Sequence, residues 1–283
     1  MKKNSLKSIL QDAQKNHYAV GQYNISTLEQ LKGILNGAKN LQTPVIIGTS
    51  EGEANFLGLE ETVALVKAIS KKYKISAFLN LDHGKDLNVI KRAVDCGYSA
   101  VHFDGSALDF DENARYTKEV VKYARNKGVL VEGELGAIKG DSGIHQGSAG
   151  VTEKDLTLPE QAKKFSDITG VDCLAIAVGT THGIYSEEQR IDFKRLENIS
   201  RLVKKFLVLH GGSGVPEDQI KKAIDLGIVK ININTELRLI WRECLERGLK
   251  ENPGQVKPYK FLPSVQDAIQ KKVEEKIKIF LNK

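Results

Sequence analysis

Cysteine is scarce in this chain: Cys96, Cys173 and Cys244 are the only three in 283 residues, and no two form a C-x-x-C pair. That pattern offers neither a disulfide framework nor a cysteine-built zinc site. No apolar run approaches the length needed to cross a bilayer. The opening M-K-K-N-S-L-K-S-I-L-Q-D carries positive charge without the apolar stretch of a secretory signal. A cytoplasmic protein with no membrane partner is therefore expected. Long blocks of one charge are missing as well. The formal charge is +6, yet the lysines fall in scattered pairs such as Lys71/Lys72, Lys204/Lys205, Lys221/Lys222 and Lys271/Lys272. That scatter argues against a nucleic-acid partner and suits an anionic small substrate. Linkers and low-complexity stretches are also lacking, so residues 1–283 are expected to form one domain.

What is present is an alternation. Hydrophobic residues make up 41% of the chain and charged ones 28%, enough to bury a substantial core. From Ala19 onward, short β-like runs alternate with amphipathic helices at intervals of roughly thirty residues. The predicted strands are Ala19–Ile25, Val45–Thr49, Ala77–Asp82, Ala100–Asp104, Leu130–Glu134, Cys173–Val178, Leu207–His210 and Val229–Ile233. Most are near-continuous apolar runs, as strands covered on both faces should be. Helix starts are legible too. Ser26 with Glu29 fits a capping box, Asp86 and Asp192 suit N-caps, and Pro159 and Pro216 suit a first helical turn. After Pro216, Ile220, Ala223, Ile224 and Gly227 follow a helical stripe. Further helices are expected over Ser5–Asn16, from Thr235, and beyond N-P-G-Q-V-K-P-Y-K. Together these units predict an α/β fold, a (β/α)8 TIM barrel with an extra helix at each end. Such barrels carry their chemistry at the carboxyl ends of the strands. The glycine-rich Ala137–Glu153 reads as an irregular, mobile active-site loop.

Three of the motifs end alike. L-N-L-D-H-G, V-G-T-T-H-G and L-V-L-H-G-G-S-G each bring a histidine, His83, His182 and His210, to what looks like the end of an apolar run. A lone histidine is usually a hydrogen-bonded core or surface group. Three of them at strand ends, each followed by glycine, describe three nitrogen ligands with an open position, the pattern of a catalytic zinc site. His17, His102 and His145 are read as ordinary histidines. Asp82, beside His83, suits a ligand, an orienting group or a general acid/base, and it shares the cavity only if the strand stops there. Asp104 and Glu134 end their strands and suit metal coordination or a hydrogen bond to a ligand histidine. Glu132 lies deeper and is expected to form an ion pair; Lys230, pointing into the barrel, could form a Schiff base but is expected to pair with Glu132 or another carboxylate. Gly211-Gly212-Ser213-Gly214 and Asn232-Ile233-Asn234-Thr235 follow the last two strands, where barrels often hold a phosphate on backbone N–H groups and a helix start. Arg238, one turn further on, could meet a second phosphate.

With S-E-G, L-D-H-G, E-G-E-L-G, T-H-G, L-H-G-G-S-G and I-N-I-N-T-E-L-R in view, the whole chain resembles the class II, metal-dependent ketose-bisphosphate aldolases. The resemblance implies reversible cleavage of fructose 1,6-bisphosphate to dihydroxyacetone phosphate and glyceraldehyde 3-phosphate, as in glycolysis. Tagatose 1,6-bisphosphate is the alternative sugar; a metal-dependent hydrolase or a non-catalytic sugar-phosphate binder is more distant. It implies Zn2+ on His83, His182 and His210, with Asp82 moving the proton at the C4 hydroxyl. Asp104 and Glu134 would hold a second divalent metal or an alternative zinc position, and a monovalent cation could assist phosphate binding. Gly183, Gly211, Gly212, Ser213, Asn232, Asn234 and Thr235 fall at dihydroxyacetone phosphate positions, Asn24 and Ser50 at substrate contacts, and Arg238 at the distal phosphate. The resemblance also implies a homodimer or larger assembly, with Lys257 or Lys260 near a neighbour's site. Two departures stand out. Ser142 occupies the place of the usual loop glutamate, which leaves Asp141 as the loop base. Asn234 and Arg238 are of the fructose type.

Overall fold

The computed structural model describes residues 5–282. Eight parallel strands close into a barrel: β1 (Val20–Asn24), β2 (Val45–Ser50), β3 (Ala77–Gly84), β4 (Ala100–Phe103), β5 (Leu130–Leu135), β7 (Cys173–Ile176), β9 (Phe206–Leu209) and β10 (Ile228–Ile233). β10 pairs back with β1, with Val20 opposite Lys230 and Gln22 opposite Asn232. Two further strands, β6 (Gly140–His145) and β8 (His182–Tyr185), form a separate parallel ribbon. The helices are α1 (Leu6–Asn16), α2 (Leu28–Leu41), α3 (Glu51–Leu57), α4 (Leu59–Tyr73), α5 (Leu87–Cys96) and α6 (Phe110–Arg125). They continue as α7 (Pro159–Thr169), α8 (Phe193–Leu202), α9 (Glu217–Asp225), α10 (Thr235–Glu251) and α11 (Pro258–Phe280). The chain is thus a (β/α)8 barrel with added helices at both ends, as the alternation of its sequence predicts.

Side-chain alternation along the strands sorts the core in two. One set faces the helices: Ile47, Leu79, Leu81, Val101, Val131, Leu174, Ile176, Leu207, Leu209, Ile231 and Ile233 all join the larger apolar cluster. The other set faces the barrel axis and changes character along it. At the amino end of the strands, Val20, Ile46, Ala100, Leu130, Cys173 and Phe206 pack with Leu6, Ile9, Leu10 and Ala13 of α1, which plugs the barrel floor. Two residues further up, the inward positions are Gln22, Asn80, His102, Glu132 and Lys230, every one of them buried. Two further still come Asn24, Asp82, Glu134 and Asn232. A period of two therefore runs from hydrocarbon to charge within a single strand.

The local differences from expectation have identifiable causes. The capping box of α2 uses Thr27 and Gln30, one residue later than Ser26 and Glu29. Both spacings satisfy the motif, and the buried Leu31, Ile34 and Leu35 set the phase that decides between them. Asp86 and Asp192 do cap α5 and α8, and Pro159 opens α7. Pro216 is the residue before α9, and Gly227, at φ 111°, lies past its end. α11 starts within the stretch that reads as a connector, at Pro258. Ala137–Glu153 is not wholly irregular, since β6 lies inside it and pairs with β8. G-D-S-G-I-H has no apolar alternation, so only its partner strand makes it extended.

Candidate active site

The carboxyl ends of the barrel strands, with the β6–β8 ribbon, enclose a cavity of about 400 Å³. Asn24, Ser50, Asp82, His83, Asp104, Glu134, Asp141, His182, Gly183, His210, Gly211, Ser213, Asn232, Asn234, Thr235 and Arg238 line it. Of the sequence candidates, Gly212 alone stays behind the wall, where a β-carbon would meet Ile231 at 2.6 Å. Lys85 and Ser106 join the lining without having been anticipated, and Ile138, Gly140 and Ser142 join it from the expected active-site loop.

Asp82 and His83 reach the same cavity by a bulge, and β3 does not stop at Asp82. The register between β3 and β4 shifts between Leu81 and Gly84, and His83 takes a left-handed backbone with φ 49°. A bulge adds a residue and re-aims the side chain that follows. Gly84 is required next, because a β-carbon there would lie 2.8 Å from Ile90 and 2.9 Å from the His102 carbonyl.

Three rings gather around His83. Its centroid is 4.7 Å from that of His210 and 4.8 Å from those of His182 and His102. His182 is the outlier, 6.1 Å from His210, because it stands on β8 and not on a barrel strand. The tightest donor groups, with atoms within 4.8 Å of one another, are Asp82, His83, His102 and His210, and His83, Asp104 and Glu134. His102, which the sequence reading passed over, thus sits at the centre. Its signal was parity: it is two residues before Asp104, which follows β4 directly, as Glu132 is before Glu134.

The hydrogen bonds fix how the rings are oriented. His210 Nε2 lies 2.7 Å from Glu132 Oε1, and Glu132 Oε2 is 2.6 Å from Lys230 Nζ, the ion pair its depth suggested. His83 Nδ1 lies 3.0 Å from Asp104 Oδ2. With each ring donating to its carboxylate, His83 Nε2 and His210 Nδ1 keep their lone pairs, and these two nitrogens face each other at 3.0 Å. Two facing lone pairs repel unless a cation lies between or beside them. The Asp82 carboxylate accepts from Asn24 at 2.9 Å and Asn232 at 3.1 Å. Glu53, also missed from sequence, holds Asn24, the Ser50 amide and Arg238 at 3.0, 2.8 and 2.6 Å.

Charge balance points the same way. Burial opposes ionisation of Asp82, Asp104, Glu132 and Glu134, but neighbouring rings and Lys230 outweigh it and keep these carboxyls below the ordinary range. Burial, then the His83 and His210 rings, push His182 down to about 4, so it offers a free lone pair at neutral pH. Burial also lowers His102, while Asp82 and Glu134 would lift it to about 10. The His83 N–H, however, is aimed at His102 Nδ1 at 3.1 Å and needs the lone pair there. We therefore read this ring as neutral, with its proton on Nε2, and the carboxylate charge as left for a metal cation. Glu134 Oε2 is buried and lacks a hydrogen-bond partner, as do the Oδ1 atoms of Asn232 and Asn234. Burial keeps His182 and His210 neutral, whereas at His83 burial is outweighed by Asp82 and Asp104, which raise it; neutral rings, a free carboxylate oxygen and negative charge around His83 suit a divalent metal.

The phosphate side is built from backbone. Gly183 and Gly211 have φ of 102° and 67°, conformations open to glycine, and a β-carbon at either would strike backbone oxygen at 2.5 Å or less. The Asn234 side chain does not cap α10; Ser213 Oγ accepts from the Glu236 amide at 3.4 Å, which ties the glycine loop to the helix start, and Thr235 at that start lines the cavity. Glu236 Oε1 accepts from the Gly214 amide at 2.8 Å and anchors the glycine loop. Asp141, on β6, is 83% exposed and lies 3.0 Å from His145.

A family model described as fructose-bisphosphate aldolase class-II matches residues 4–283. The chain is 40% identical over 276 residues to a sulfofructosephosphate aldolase from Alkalicoccus urumqiensis, covering 97% of this chain and 95% of that one. The crystal structure of the YdjI aldolase from Escherichia coli K12 matches with a TM-score of 0.85 and 33% identity over 98% of this chain and 96% of that one. A fructose-bisphosphate aldolase structure from Campylobacter jejuni matches with a TM-score of 0.82, covering 97% and 93%; at 21% identity that likeness shows the fold alone.

Proposed function

Since the chain belongs to the class II fructose-bisphosphate aldolase family, we propose that it cleaves fructose 1,6-bisphosphate reversibly to dihydroxyacetone phosphate and glyceraldehyde 3-phosphate, with zinc as its metal. The observation that carries this reading is the pair of facing histidine nitrogens, 3.0 Å apart, beside a backbone phosphate cradle. His83, His182 and His210 would hold the ion; His83, Asp104 and Glu134 are the candidate for a second. A zinc ion bound there would act as a Lewis acid on the ketone oxygen, stabilising the developing carbanion by several kcal/mol.

The chain's own residues do the rest. Asn24 and Asn232 hold both oxygens of Asp82 and keep it ionised, so it can take the C4 hydroxyl proton during cleavage and return it in condensation. Gly183, Gly211, Ser213 and the start of α10 seat the C1 phosphate. Asn232 and Asn234 offer acceptors to sugar hydroxyls. Ser50 and Arg238 face the far anion, and the two ends together align the breaking C3–C4 bond. Asp141 is the candidate for the proton at C3. Lys230 is held by Glu132, and a lysine so paired is a poor Schiff-base nucleophile.

A second substrate, a sulfonated fructose phosphate, is favoured by one contact. Arg238 is already paired with Glu53, which leaves less positive charge at the far end than a phosphate dianion calls for. The relative at 40% identity is named for such a sugar. The test is kcat/KM on the fructose and tagatose bisphosphates and on the sulfonated sugar, before and after metal removal. Loss of activity in chelator, rescue by zinc and preference for fructose 1,6-bisphosphate are expected. Borohydride trapping at Lys230 with metal-free activity would overturn the mechanism, and preference for the sulfonate would shift the substrate.

A further inference from the structure

Among the clustered rings, His102 is the one that the mechanism leaves without a task. It is fully buried on β4, and each of its ring nitrogens meets a different part of the centre. Nδ1 accepts the backbone N–H of His83 at 3.1 Å. That N–H sits in the bulge, where the β3–β4 register is broken, and buried backbone donors are rarely left unpaired. The left-handed His83 backbone persists only where its surroundings over-determine it. On its other edge, His102 Nε2 lies 3.4 Å from Glu134 Oε2 without forming a hydrogen bond, and both atoms are buried with no hydrogen-bond partner.

We propose that His102 is a positioning residue for the metal centre. Its Nδ1 locks the bulge that turns His83 toward the ion. An aliphatic residue of similar size would fill the space and leave the His83 N–H unpaired. This inference rests on the metal-dependent reading of the site, so it is tested by metal binding as well as by turnover.

The experiment compares His102→Leu, His102→Asn and His102→Gln, measuring zinc affinity by chelator competition and melting of the chelator-treated proteins. Asparagine places an oxygen acceptor where Nδ1 stood; glutamine carries its polar atoms one bond further out. The expected result is zinc binding about 10–100-fold weaker in the Leu and Gln variants, the usual cost of losing an outer partner of a ligand. The Asn variant should keep affinity within about threefold. If the Leu variant fails to fold, the contrast between Asn and Gln decides. Unchanged affinity in Leu and Gln, or equal loss in Asn and Gln, would overturn the role of His102. Failure of the unsubstituted protein to bind zinc would overturn the metal reading itself, and this inference with it.

Discussion

The two ends of the barrel solve opposite problems with the same strands. At the floor, Leu130, Ala100, Val20 and Phe206 meet the apolar face of α1 and bury hydrocarbon. At the mouth, the same strands present Glu132, Glu134, His102 and Asn24, equally buried but polar. Hydrocarbon burial is non-directional and tolerates repacking, whereas buried charge is costly unless every group finds its partner. The floor should therefore govern stability alone, and the mouth should govern chemistry.

Substitutions can break that division. The largest effect is expected from Asp82→Ala: kcat falling by about 10²–10⁴ with zinc still bound, read by steady-state assay and metal analysis. A small loss would remove Asp82 from proton transfer. Next is Lys230→Met, which strands Glu132 without its ammonium and should cost about 3–5 kcal/mol in urea unfolding. Adding Glu132→Gln should recover much of that loss; no recovery would show that the pair is not the unit that matters. At the floor, Leu10→Ala should cost about 2–5 kcal/mol while kcat stays unchanged. A change in kcat there would show that the ends are coupled.

The smallest effect concerns pH. His182 is held at about 4 in the folded chain, below its ordinary value near 6.5. The folded state therefore binds fewer protons than the unfolded one between those limits, and this group costs stability as the pH falls through them. In chelator-treated protein, His182→Asn should gain on the unsubstituted chain between pH 6.5 and 4, by on the order of 2 kcal/mol after screening. Unfolding curves at the two ends of that window read it directly, and a constant gap would contradict the low value.

How much of this was legible in the sequence follows from the same contrast. The barrel strands are short apolar runs, and all eight stand within a residue or two of where the pattern puts them. The floor needed nothing more. At the mouth, the motifs gathered most of the cavity lining, although His182, expected at the end of a barrel strand, opens β8 instead. His102 was hidden because a buried histidine on an apolar strand looks like core until the parity of Asp104 and Glu132 is applied to it. Glu53 was hidden because its work is done across the chain, on Asn24 and Arg238. The bulge at His83 and the β6–β8 ribbon depend on partners distant in sequence, and no local pattern announces them.

Anomalous diffraction at the zinc edge, from crystals of the zinc-loaded protein, tests the mouth of the barrel most directly. The expected result is a strong peak bounded by nitrogens of His83, His182 and His210, with Asp82 beside it and unligated. No peak among those rings, or one held by Asp104 and Glu134 with His182 turned away, would contradict the three-histidine centre.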